Sequence, residues 1–198
     1  MKKKSCGLYT NALWTLIYLP LPAMAIEVHP TTEQIQAALD KGKQAAQQHS
    51  PPDALYVRFG AADDLHPSGF LVTKLSALSV MATHMALRGA EPTEADIAQA
   101  LDAKTMMVGT VIFGNDPAFA VDSYMVLDQG GHSIKPVTVR FDGQAGRSAV
   151  WPASPRFKAK VVGAFNYEDF NPMAAATLTV FPASGGESSF HLDFRQIQ

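Results

Sequence analysis

The apolar positions of this chain follow two rhythms. In the first half they recur at steps of three and four, as on one face of a helix; in the second half they alternate residue by residue, as on one face of a strand. Ile35, Ala38, Leu39 and Ala46 form a helical stripe running from Thr31 to about His49. Thr31 and Gln34 stand at capping-box spacing, and Ser50-Pro51-Pro52 ends the element. Ala54 to Gly60 alternates as a short strand, and Ala61 to Gly69 is polar enough for a loop. Leu71, Leu75, Leu78, Ala82 and Met85 predict a second helix from about Phe70 to Arg88-Gly89, and Pro92-Thr93 opens a third. The segments 30–40 and 92–102 share Pro-Thr, Ile, Ala, Leu and Asp at equal spacing. Shared capping chemistry accounts for that without a duplication.

After Lys104 the pattern is strand upon strand. Met106 to Phe113, Phe119 to Asp128, Ile134 to Phe141, Phe157 to Phe165, Ala174 to Phe181 and Ser188 to Ile197 are separated by turn-forming residues. The last strands leave no room for crossover helices, which rules against a parallel sheet. The expected fold is therefore α+β: N-terminal helices packed on a mostly antiparallel, sandwich-like β domain of about seven strands. Residues 26–198 form one domain, with a helical part at about 30–104 and a β-rich part at about 105–198. The Gly/Ser/Pro-containing connection 142–155 is expected to be its most mobile loop.

Ahead of this pattern lies a leader. Lys2, Lys3 and Lys4 precede an apolar run from about Leu13 to Leu21, and Ala23-Met24-Ala25 supplies small residues where a signal peptidase reads. Residues 1–25 thus read as a cleaved secretory signal, with Ile26 first in the exported chain. The run is too short to span a bilayer and is broken by Pro20 and Pro22, so no stable membrane anchor is expected after cleavage. Cys6 precedes the apolar run, the wrong place for lipid attachment. The lysine-led form suggests a bacterial periplasmic or secreted protein.

Cleavage removes the chain's one cysteine, and with it disulfides, thiolate metal sites and thiol nucleophiles. It also removes three lysines from a chain of formal net charge −2. The exported chain is more acidic still, which argues against a nucleic-acid partner.

No phosphate-binding or dinucleotide glycine motif and no nucleophile elbow is present. A serine triad such as Ser68, His84 and Asp169 has no support in spacing, so no catalytic residue and no cofactor is assigned. His84, on a helix otherwise facing the core, reads as a partly buried structural residue. In the loop after the first strand, Asp63, Asp64 and His66 bring together the residue types of a divalent-cation site. Trp151, Tyr167 and Phe170 lie beside turns, with Arg147 nearby, and read as exposed anchors for a partner or a sugar-like ligand. Free sheet edges offer β-augmentation as another route. These features favour a non-enzymatic periplasmic or secreted binding or assembly module, whose partner is another cell-envelope protein or a small ligand. The alternative is a hydrolase or metal-dependent enzyme with a non-standard site.

Overall fold

Three threonines start the three helices. The computed structural model describes residues 26–197, so the signal-peptide reading of residues 1–25 lies outside the described residues. Thr31, Thr73 and Thr93 each accept the backbone N–H three residues on, while Gln34, Ser76 and Asp96 return the bond to the cap's own N–H. Each box satisfies two of the free donors at a helix start. The helices are α1 (Thr32–Gln47), α2 (Lys74–Ala86) and α3 (Glu94–Leu101). The similarity of segments 30–40 and 92–102 is thus matched by the same caps. The elements themselves differ: α1 leads into a 3-10 turn at Pro52–Leu55, whereas α3 leads into a strand.

Helices α1 and α2 approach closely because small residues face each other. The Ser79 hydroxyl donates to the Ala38 carbonyl at 2.8 Å, and the Thr83 hydroxyl donates to the Gly42 carbonyl at 3.0 Å. Around this contact Ala38, Leu39, Leu78 and Ala82 form a small core, completed by residues including Ile97 and Leu101 of α3.

Ten strands, among the described residues, form two antiparallel sheets. They are β1 (Val57–Gly60), β2 (Ser68–Val72), β3 (Thr105–Gly114), β4 (Tyr124–Gln129), β5 (His132–Ile134), β6 (Thr138–Phe141), β7 (Gly146–Arg147), β8 (Phe157–Asn166), β9 (Ala175–Phe181) and β10 (Ser188–Asp193). The six-stranded sheet runs β1-β2-β3-β8-β6, with β7 pairing the start of β8; the four-stranded sheet runs β10-β9-β4-β5. One continuous core joins them: Leu71, Met106, Val108, Val161 and Phe165 from the first sheet with Met125, Leu127, Leu178, Val180 and Leu192 from the second. Where the edges β1 and β10 meet, Phe59 and Phe190 make an edge-to-face pair at 5.0 Å. The α+β expectation, helices first and an antiparallel β part after, holds.

Several local expectations do not. Phe70 and Leu71 belong to β2, not to a helix; α2 starts at Lys74, after the Thr73 cap. Leu71 continues the apolar spacing of α2 by coincidence, because it faces the β core. Phe119 to Val121 form a turn rather than the start of β4, although Phe119 is buried. The run Ile134 to Phe141 is split at Lys135-Pro136-Val137, with β5 in one sheet and β6 in the other. At the C-terminus β10 stops at Asp193, and a 3-10 turn (Phe194–Gln196) drives Phe194 into the core with no exposure. The connection 142–155 carries hydrogen bonds to its surroundings at Ala145 and Ser148. The Ala145 amide donates to the Pro117 carbonyl, the Ser148 amide to the Arg156 carbonyl and the Ser148 hydroxyl to the Pro155 carbonyl.

Candidate binding face on the six-stranded sheet

Pairing register assigns every strand residue of the six-stranded sheet to a face, because paired residues point the same way and neighbours along a strand point opposite ways. Thr110 and Val161 pair and are fully buried, which marks the inner side. Arg58, Phe70, Gly109, Val162 and Arg140 therefore form one cross-strand row on the outer side. Ser68, Val111 and Lys160 form the next, then Phe113 and Lys158. Val72, Met107, Ala164 and Thr138 lie on the other flank.

This outer side differs from a solvated sheet face. Phe70, Val72, Met107, Val111, Phe113 and Val162 all point outward, yet none belongs to either apolar core. Met107 is 43% exposed. The ring of Phe70 stacks on Tyr56 at 5.0 Å on one side and lies over Gly109 on the other. A Cβ at Gly109 would fall within 2.3 Å of that ring, so glycine is needed for it to lie flat. The outer side of the four-stranded sheet is mixed: Thr177, Thr179, Ser189 and His191 point outward there, with Thr179 and Ser189 hydroxyls 3.0 Å apart, and beside them the exposed Tyr124 stacks on Phe181 at 4.7 Å.

At the end of this face away from the helices lies a groove of about 330 Å3. Val111 and Phe113 make its floor; Arg58, Asp63 and Asp64 line one wall, and Asp142, Lys158 and Lys160 the other. The Asp142 carboxylate accepts the Lys160 backbone amide at 2.8 Å, and the Arg58 guanidinium is paired with Asp53 at 2.9 Å. Lys158, Lys160 and Arg140 are in none of the ion pairs among the described residues. Among outward-pointing strand residues of this sheet four are cationic and none is anionic.

The structure brings some of the sequence-derived candidates together here and removes others. Asp63 and Asp64 border the groove, and Asp63 is engaged with His66. Asp63 accepts the Leu65 and His66 amides at 2.8 and 2.9 Å, and the His66 ring at 2.9 Å. The Leu65 amide foremost, with His66, holds the Asp63 carboxyl below its usual range. The carboxylate and the imidazole thus close their own loop instead of converging on a shared centre. Among the described residues no group of three metal-ligating side chains comes together. Gly146 lines the groove too, and the next residue, Arg147, lays its guanidinium 4.1 Å from the centre of the Trp151 ring. Trp151 is 44% exposed, as expected of an anchor.

Tyr167 and Phe170 are not exposed. Both are 6% accessible and plug the helix-bearing end of the β core, where Phe170 packs 5.4 Å from Phe194. The turn that carries them folds back over the core. Lys74, itself buried, lies 5.5 Å from the Tyr167 ring, and burial lowers its pKa. The Tyr167 hydroxyl has no hydrogen-bond partner; the Lys74 backbone N–H lies near it without hydrogen-bond geometry. Burial pushes this phenol up to about 12. The unfolded chain would release the proton near 10.0, so stability is complete below that pH and falls as pH rises towards 12. Alkaline titration at the phenolate absorbance should show one late phenol, missing in Tyr167→Phe. That variant should lose no more than about 1 kcal/mol, since it deletes an unpaired buried group.

His84 is exposed on α2, contrary to the partly buried role expected of it, and does not meet Ser68 at the groove. What sequence reasoning missed is the set Arg58, Arg140, Lys158 and Lys160 as one surface. The outward phase of Arg140, Lys158 and Lys160 is visible in the alternation; their neighbourhood depends on strand order. A second hollow, of about 400 Å3, lies between the edges β1 and β10, with Leu71, Leu192 and Ile197 in its walls. No strand pairing joins those edges. No protein-family model matches the chain, and no curated protein matches it.

Proposed function

We propose that this protein is an exported, non-enzymatic binding or assembly module, and that the outer face of its six-stranded sheet is the working surface. The observation that carries this is the outward set Phe70, Met107, Val111, Phe113 and Val162, apolar side chains that belong to neither core. Apolar surface left on one sheet face, with a border of mixed charge, is what a partner buries. The Arg147–Trp151 pair next to Gly146 adds a rigid aromatic at the rim. The hydrolase alternative draws no comparable support, because Ser68 lies in the groove while His84 stands on a helix at the other end.

A photo-crosslinking residue placed at Met107 or Lys160 in an exporting bacterium should give a discrete adduct, and one at Thr177 on the four-stranded sheet should not. Equal adducts from both faces, or none from Met107 and Lys160, would overturn the assignment.

A further inference from the structure

We propose that this face packs against the same face of a second copy of the chain, about a two-fold axis running along β3. The inference rests on the face being the working surface, and adds what covers it.

Charge is the first argument. Each wall of the groove carries both signs, but the charges left over on the two walls are opposite. On the β1 side Arg58 is already paired with Asp53, and Asp63 is held by its own loop. On the β8 side the Asp142 carboxylate accepts the Lys160 amide. Asp64 on the first wall, and Lys158 and Lys160 on the second, are in none of the ion pairs among the described residues. Two-fold symmetry makes such a surface its own complement, because every contact of one residue with another is made twice. β3 is the middle strand of the five, and with the axis along it the Asp64 wall of each copy lies over the Lys158–Lys160 wall of the other. Val111 and Phe113, the floor between the walls, then meet their own equivalents at the centre. Arg140 comes opposite Arg58, where Asp53 offsets the like charges. An axis across the strands would instead set the charged end of each copy over the apolar flank at Val72 and Met107 of the other.

Shape is the second. The ten-residue strands β3 and β8 are about 33 Å long, and five strands about 4.8 Å apart make the face about 19 Å across. Allowing for the shorter outer strands, each copy offers a footprint of about 500 Å2, so a pair takes about 1,000 Å2 out of water, the size at which an interface becomes specific. A single helix, about 10 Å wide, would leave about half of that breadth bare. Two sheets of the same twist stack face to face about 10 Å apart, with their strands within about 30° of each other. The relief of the face suits that packing. Its apolar side chains are half-buried and low, with Met107 the one large apolar side chain among them that stands clear.

The test is sedimentation equilibrium of the purified exported protein over a range of concentrations, with two charge variants. Asp64→Lys turns the acidic wall basic, and the double variant Lys158→Glu, Lys160→Glu turns the basic wall acidic. The parent should dimerise, and each variant alone should do so about tenfold more weakly, because like charges then face each other in both contacts. Mixed in equal amounts, the two variants should recover the dimer, since across a mixed pair each wall again meets its opposite. Tyr124→Ser, on the outer side of the other sheet, should change nothing. A dimer weakened by Tyr124→Ser and indifferent to the charge variants would move the interface to the four-stranded sheet and overturn the proposal. Weakening without recovery on mixing would overturn the axis along β3. A protein that stays monomeric at every concentration would overturn the second copy as occupant. The working surface would still stand in that case if Met107 and Lys160 crosslink in the cell to a molecule of another mass, and would fall with the dimer if they do not.

Discussion

Gly42→Ala should destabilise the protein, although alanine is the better helix former by about 1 kcal/mol. Gly42 lies inside α1, where an exposed glycine would be improved by the change. Here a Cβ would stand 2.3 Å from the Ser79 carbonyl oxygen and 2.7 Å from the Ala82 Cβ. Both obstacles are fixed: one is α2 backbone, the other a side chain with nowhere to turn. The helices must separate, and with them go the bonds from Thr83 to the Gly42 carbonyl and from Ser79 to the Ala38 carbonyl. We expect a net loss of about 2–3 kcal/mol, read as a lower urea midpoint. A raised midpoint would mean that α1 and α2 do not pack through these residues.

Phe165→Ala should be costlier. Phe165 is fully buried in the core shared by the two sheets and pairs in register with Met106, which is equally buried. Removing a benzyl group from such a place costs about 3–5 kcal/mol, a large part of the roughly 5–15 kcal/mol that holds a domain together. Urea unfolding followed by Trp151 fluorescence should show a midpoint well below that of Gly42→Ala. A change under about 1 kcal/mol would place Phe165 outside the core. The pair also separates the two cores, since one variant loosens the helix contact and the other strikes both sheets.

The caps of α1 and α3 were legible because Thr31 with Gln34 and Thr93 with Asp96 are local chemistry. Thr73 was readable as well, but Leu71 prolonged the helical spacing beyond it, and a four-residue step is shared by a strand residue that happens to face a core. Pro136 marked the break between β5 and β6. Alternation on both sides of it looked like one strand, because two strands in different sheets can keep the same phase. Tyr167 and Phe170 sit in a turn, and nothing within that turn says whether it faces water or closes over the barrel of side chains beneath. The binding face was least legible of all. Arg58, Phe113, Arg140 and Lys158 come from four strands, and their juxtaposition exists only once β8 is placed between β3 and β6.

That placement also governs how the chain can assemble as it emerges N-terminus first. Residues up to α3 can build their helix pair and the β1-β2 hairpin early. β3 then has β2 on one side but lacks its longest ladder, Thr105 to Gly114 against Asn166 to Phe157, until β8 arrives. β4 likewise waits for β9, and β9 for β10. Neither sheet can close before nearly all of the chain has been delivered, and contacts of such separation form slowly. The nascent protein therefore holds at most its helix pair and one hairpin for much of its synthesis, with neither sheet closed until the last strands arrive.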